Sequence, residues 1–301
     1  MSLAAHKAQN TLRTFALIAG LTGLLLVVGQ VVGGRSGLVL FAGLAVVMNL
    51  AMYWFSAPMA LKMSKAVEVD EAEAPELHRM ISQLAARAGI PKPRVYATPA
   101  EQPNAFATGR NPKHAAIAVT QGIVQALSPR ELEGVLAHEM AHIKNRDILI
   151  ASIAAMVAGA ISAIANFLQF SMFFGGGNDD ESPLGIVGTI ATIMLAPVAA
   201  MIIQMAVSRQ REYQADATGA EFLGDGNGLA DALETLERGS HAIPLAVNPA
   251  TAPMYIVNPL AAFGGRGMMK LFSSHPPTAE RVRRLRSLSG MLMTTSRGLE
   301  I

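Results

Sequence analysis

Residues 128–147 run Ser128-Pro129-Arg130-Glu131-Leu132-Glu133-Gly134-Val135-Leu136-Ala137-His138-Glu139-Met140-Ala141-His142-Ile143-Lys144-Asn145-Arg146-Asp147, with a His-Glu-x-x-His string at their centre. The start is a complete helix signal. Ser128 is able to cap, Pro129 takes the first helical position, and Glu131 completes a capping box. The next proline is Pro183, so the helix is expected to continue past His142 into the apolar segment that follows, with Asp147 marking the boundary. On a helix, positions i and i+4 share a face, so the two imidazoles project side by side. That spacing suits two corners of a tetrahedral Zn²⁺ site, and it places Glu139 beside the water of an open corner.

The surrounding composition is that of a membrane protein. Of 301 residues, 51% are apolar and only 15% charged, and the mean hydropathy is +0.35. Four runs carry no charge: 15–33, 36–61, 148–178 and 182–208. Each reaches the roughly 20 residues needed to cross a hydrocarbon core. The first is too long for a signal peptide and is followed almost at once by the second, so the pair reads as a membrane hairpin. We expect four spans, at about 15–33, 38–57, 148–174 and 184–207. The alternative for the third, which is rich in Ala, Gly and Ser, is that it packs inside the protein.

Lys7 and Arg13 precede the first span, Lys62 and Lys65 follow the second, Lys144 and Arg146 precede the third, and Arg209 and Arg211 follow the fourth. The opposite side carries Arg35 in one loop and Asp179, Asp180 and Glu181 in the other. This asymmetry puts both termini and the polar segments in the cytoplasm. The runs contain amides such as Gln30, Asn49, Asn166 and Gln204 but no ionisable side chain, which argues against a transporter. The absence of Cys excludes disulfides and thiolate metal sites. A basic C-terminal stripe (Arg281, Arg283, Arg284, Arg286) is read as facing lipid or solvent, and no nucleic-acid partner is expected.

The chain thus divides into an N-terminal transmembrane hairpin (1–65), a cytoplasmic part holding the His-Glu-x-x-His helix (66–147), a second pair of spans (148–207) and a cytoplasmic remainder (208–301). In the first cytoplasmic part, residues 74–88 read as an amphipathic helix with Leu77, Met80, Ile81 and Leu84 inward, closed by Gly89 and Pro91. Residues 94–98 and 115–119 read as strands, and the stretch between them as turns. After Pro197 the fourth helix should run unbroken to Gly219. A further helix is expected at 228–238, a long Pro/Gly-rich loop at 240–270 and a last helix from Thr278.

A catalytic zinc site needs a third protein ligand on another element. Glu212 has the right register: it follows the fourth span by about the distance that separates His142 from the third. An ordinary ion pair with Arg209 or Arg211 is the alternative. Asp216, one turn further, is placed to take the second ring N–H of a ligating His, as is Asp147; a solvated helix carboxylate is the alternative. His275 opens the rigid His275-Pro276-Pro277 turn, which presents a side chain well but is also a common helix entry. His275 and Tyr213 are candidate hydrogen-bond donors to an oxyanion. Substrate is expected to add as an extended strand along the 115–119 edge, through Ala115, Ile117 and Val119.

Taken together, the His138–His142 string, Ser208-Arg209-Gln210-Arg211-Glu212-Tyr213-Gln214-Ala215-Asp216 and His275-Pro276-Pro277-Thr278-Ala279-Glu280-Arg281 closely resemble the signatures of HtpX-type membrane zinc metalloproteases, relatives of the CAAX prenyl endopeptidase. The resemblance covers essentially the whole chain. It implies a mainly α membrane protein whose cytoplasmic zincin-like α+β domain carries a small β-sheet. It further implies one Zn²⁺ per subunit on His138, His142 and Glu212, with Glu139 as catalytic glutamate and Asp216 supporting a ligand His. His275 and Arg281 fall at positions near the scissile peptide or transition state, and Asn104-Ala105-Phe106 beside the strand that aligns substrate. The implied role is membrane protein quality control in the bacterial inner membrane. Its partners would be unfolded or membrane-protein substrates, the lipid bilayer and other membrane quality-control proteases. A CAAX-type peptide-processing enzyme and a catalytically silent zinc-binding regulator are the alternatives.

Overall fold

The computed structural model describes residues 3–153, 209–242 and 276–297. Most of the third span, all of the fourth, most of the 240–270 loop and His275 lie outside the described residues.

The first helix, α1 (Leu3–Met63), is interrupted at Gly33 and Gly34, the latter with φ 56° and ψ −137°, a conformation open to glycine. The chain folds back there. The two arms approach so closely that a Cβ on Gly29 would lie 2.7 Å from the Gly37 carbonyl oxygen, and Asn49 Nδ2 donates to Thr22 Oγ1 at 2.9 Å across them. Among the described residues one helix, Gly33–Met63, is long and apolar enough to cross a membrane, with mean hydropathy 2.0. Only 11% of that apolar window is buried, so it is not a core helix: Val39, Leu40, Val47 and Leu50 all stand in the open.

A four-stranded sheet follows, built from β1 (Val67–Glu68), β2 (Arg94–Thr98), β3 (Ala105–Gly109) and β4 (Ala115–Thr120) in the order β1-β2-β4-β3. β2 and β4 are parallel, with α2 (Pro75–Ala88) packed on the sheet; the outer pairs are antiparallel. The strands alternate in which face they feed. Val95, Ala107, Ile117 and Val119 join the main core with Ile81 and Leu84 of α2. Tyr96, Phe106, Ala116 and Ala118 face the other way, onto Leu61 near the end of α1. Both faces of β4 are therefore covered, which explains why Ala115-Ala116-Ile117-Ala118-Val119 is apolar at every position.

Helices complete the described structure: α3 (Gln121–Ala126), α4 (Pro129–Asn145), α5 (Arg209–Leu223), α6 (Asn227–Ala242) and α7 (Thr278–Arg297). The capping box at the start of α4 is formed, with Glu131 Oε2 accepting from Ser128 N at 2.8 Å. The other oxygen of Glu131 accepts from Thr235 Oγ1 of α6 at 2.7 Å, so the same side chain ties two helices together. α4 lies at the centre of the bundle. It crosses α6 at Gly134, where a Cβ would meet Leu229 N at 2.4 Å, and α5 at Gly219, where a Cβ would meet Ala137 C and His138 N at 3.0 Å.

Three expectations are corrected. α4 does not run on into the third span: Arg146 adopts φ 62°, ψ 33° and stops it at Asn145, and a new helical segment begins at 148. Gly219 does not break α5, because it serves as the close-packing point against α4; the helix ends at Leu223, before Gly224 at φ 69°. The stretch taken for turns contains β3.

Candidate metal centre

The stop at Arg146 has a chemical consequence. The backbone of Asp147 turns back so that its N–H donates to the His142 carbonyl (2.9 Å), and its carboxylate Oδ2 lies 2.9 Å from His142 Nδ1. A helix continuing through 146 would have carried Asp147 past His142. His138, one turn earlier, has its Nδ1 2.9 Å from Asp216 Oδ1, so each imidazole offers Nδ1–H to a carboxylate and turns Nε2 inward.

α5 supplies the third group from the other side of the crossing. Glu212 Oε2 lies 3.5 Å from His138 Nε2, its Oε1 3.7 Å from His142 Nε2, and the two Nε2 atoms are 3.1 Å apart. The ligand atoms of His138, His142 and Glu212 all fall within 4.8 Å of one another. Two nitrogens on a tetrahedral Zn²⁺, each at about 2.05 Å, would be about 3.3 Å apart. The donor set, two imidazoles and one carboxylate without thiolate, is that of an open catalytic zinc site. Two Nε2 lone pairs facing each other at 3.1 Å call for positive charge between them. Burial disfavours charging His138, yet its hydrogen bonds to Asp216 and Glu212 prevail and raise its pKa to about 9. His142 is likewise pushed up against burial, chiefly by Asp147. Either protons or a metal cation satisfies that demand, and the residues fit the cation.

Behind His138 lies a buried ion pair. Arg281 of α7 is 1% exposed and donates through Nε (2.9 Å) and Nη2 (2.7 Å) to the two oxygens of Asp216. Burial opposes ionisation of Asp216, but the Arg281 charge and its hydrogen bonds hold the carboxyl down to about 2. The guanidinium also sits 3.5 Å from His138 Nδ1. Arg281 thus takes its place behind the ligand, with its donors on Asp216. Its inward position has a sequence signal: with Leu285 and Ser289 it forms the buried stripe of α7.

Glu139 is 6% exposed, and its Oε2 accepts the Ala107 N–H of β3 at 2.8 Å. β3 is one of the two edge strands of the sheet. Since β3 alternates, Ala105, Ala107 and Gly109 direct their N–H groups away from β4; that of Gly109 meets Ser152 Oγ at 3.4 Å. Ser152 also pairs with Thr108 Oγ1 (2.7 Å), fastening the end of β3 to the 148–153 helix. The expectation that substrate adds along 115–119 is corrected by this topology. Ala115, Ile117 and Val119 lie on β4, which is hydrogen-bonded on both sides by β2 and β3. Ala105 and Phe106 open β3 itself and Asn104 precedes it: the Asn104 main chain is pinned by Thr120, and the Phe106 ring packs beneath the sheet on the Leu61 side. Tyr213 presents its ring to Arg284, 3.9 Å away. Ser152, Thr108 and the N–H of Ala107 were not read from sequence; the alternation of Ala105-Phe106-Ala107-Thr108 was the available sign of a strand.

Relatives carry the same extent of chain. Residues 71–289, from before α2 to within α7 and including every described residue of the cluster, match peptidase family M48. A protease HtpX homolog of Persephonella marina is 55% identical over 281 residues, covering 92% of this chain and 96% of that protein. One from Gemmatimonas aurantiaca is 52% identical, covering 93% and 100%. The crystal structure of S. mikatae Ste24p is similar at 24% identity and TM-score 0.49, over 93% of this chain and 66% of that one. A match through most of the chain, and half-identical relatives along nearly their whole length, give one conclusion: the chain belongs to peptidase family M48, among the HtpX-type proteases.

Proposed function

We propose that the chain is an integral membrane zinc endopeptidase that cleaves misfolded or damaged membrane proteins at the cytoplasmic face of the bacterial inner membrane. The observation that carries this reading is the convergence of His138, His142 and Glu212, with both Nδ1 atoms held by carboxylates, next to a glutamate bonded to an edge strand. The exposed apolar helix Gly33–Met63, packed by Leu61 against that sheet, supports a membrane location.

Bound by the three side chains, a zinc ion would polarise a water molecule and the scissile carbonyl. Glu139 takes the proton from the water and passes it to the leaving amine nitrogen. The N–H of Ala107 fixes the direction of the Glu139 carboxylate. Asp216 and Asp147 keep Nε2 of each histidine turned inward, and Arg281 holds Asp216 in place. With the Ala107 N–H held by Glu139, β3 offers the outward carbonyls of Ala105 and Ala107 and the Ala105 N–H, and substrate pairs there with little dependence on its side chains.

The test is metal analysis with casein hydrolysis on detergent-purified protein. Glu139→Gln should retain zinc and lose about 10²- to 10⁴-fold in turnover, the usual worth of a positioned acid–base group. Wild-type rates in that variant would overturn the reading.

A further inference from the structure

Arg110, in the turn between β3 and β4, places its guanidinium 4.3 Å from the centre of the Trp54 ring. Trp54 belongs to α1 and lies nine residues before its end, about 14 Å along the helix. The turn therefore reaches down the flank of the apolar helix to the level where Tyr53 and Trp54 stack edge to face. Such an aromatic pair marks the headgroup region of a bilayer. The turn is stiffened from within: Asn111 Oδ1 accepts from Lys113 N at 3.0 Å and pairs with His114 Nδ1 at 2.9 Å, next to Pro112.

Lys62 and Lys65 at the end of α1, and Arg110 and Lys113 in the turn, have no carboxylate partner among the described residues. Among the described residues Arg94, Arg130, Arg284 and Arg286 do meet one, at 3.5 Å or less, while Lys144 and Arg146 do not. Arg110 is half-buried, with one face of its guanidinium on an indole and its N–H edge without a hydrogen-bond partner among the described residues. A planar fork of free donors beside an apolar helix suits a bidentate anion, and phosphate is the anion present at that depth of a bilayer.

We propose that the 110–114 turn binds the phosphate of anionic lipid headgroups and so pins the end of β3 to the bilayer surface. The inference rests on the membrane-anchored reading above but not on proteolysis. Trp54 is the sole tryptophan of the chain, so its fluorescence reads this spot directly. The test uses full-length protein in bilayer vesicles, comparing quenching of Trp54 by brominated phosphatidylglycerol and by brominated phosphatidylcholine.

Wild type should be quenched preferentially by the anionic lipid. The preference should fall about five-fold for each charge removed in Arg110→Gln and Lys113→Gln. Arg110→Lys should keep most of it, and Arg94→Gln, at a paired site, all of it. Lys113→Gln leaves the Arg110–Trp54 stack intact, so a loss there reflects charge and not a disturbed fluorophore. Equal quenching of wild type by the two lipids, or a preference that survives the double substitution, would overturn the proposal. Zinc content and casein hydrolysis on the same preparations separate this result from the catalytic reading, since a lipid preference without turnover would leave the proposed lipid site standing.

Discussion

Arg281 and Asp216 are two ionised side chains almost wholly removed from water, an arrangement that is costly unless each charge is fully used. Here both carboxylate oxygens accept from the guanidinium, and one of them also faces His138 Nδ1. Arg281→Met would leave a buried carboxylate without its counter-ion and should cost about 3–5 kcal/mol, measured by chemical denaturation. Asp216→Leu combined with Arg281→Met should recover much of that stability, since an apolar pair of similar volume replaces the ions. It should still bind zinc about 10- to 100-fold more weakly, because His138 has lost the group that orients it. Glu212→Gln should lower zinc content directly. If the double variant regained zinc affinity along with stability, Asp216 would have no role beyond packing.

Helix α4 reaches its neighbours through glycine, and this decides how Glu212 is brought to the two histidines. Gly219→Ala gains about 1 kcal/mol of helix propensity but forces a Cβ against the backbone of Ala137 and His138, an overpacking cost of about 1–3 kcal/mol. We expect a small net destabilisation and a clear drop in zinc affinity, because Glu212 rides on the displaced helix. Gly134→Ala, facing backbone at 2.4 Å, should destabilise more in thermal melts. Ser128→Ala should cost about 1 kcal/mol. Burial alone would raise the Glu131 pKa, yet its bonds to Ser128 and Thr235 hold it below the usual carboxylate range. The capping box therefore stabilises the fold above that range and is lost as pH falls through the lowered value.

These helices show where sequence is legible and where it stops. The capped start of α4 and the i, i+4 histidines were readable because their signals are local. Gly219 looked like a stop because only the partner helix, 80 residues away, shows it to be a contact. The end of α4 at Arg146 had no local sign, since a non-glycine residue adopts the left-handed conformation there. β3 hid among turn residues because what makes it a strand is pairing with β4.

The sheet joins the two halves of the described structure. Its upper face carries the helices that hold the cluster, and its lower face rests on Leu61 through Tyr96, Phe106, Ala116 and Ala118. Among the described residues, the apolar helix and the strand proposed to align substrate meet through side-chain packing, Leu61 against Phe106. From Arg110 at the level of Trp54 to Ala107 beside Glu139 is three strand residues, about 10 Å. On the membrane-anchored reading, Glu139 stands within about that distance of the Trp54 level. A set of membrane substrates with the same cleavable loop at increasing distance from their last span should show cleavage falling off once the loop cannot lie along β3 at this height. A flat response would sink the idea. A cleft whose contacts are mostly main chain has little means to recognise one sequence over another. On the proposed function, what it would select is the altitude of a slack polypeptide over the lipid, a property that intact membrane proteins conceal and broken ones reveal.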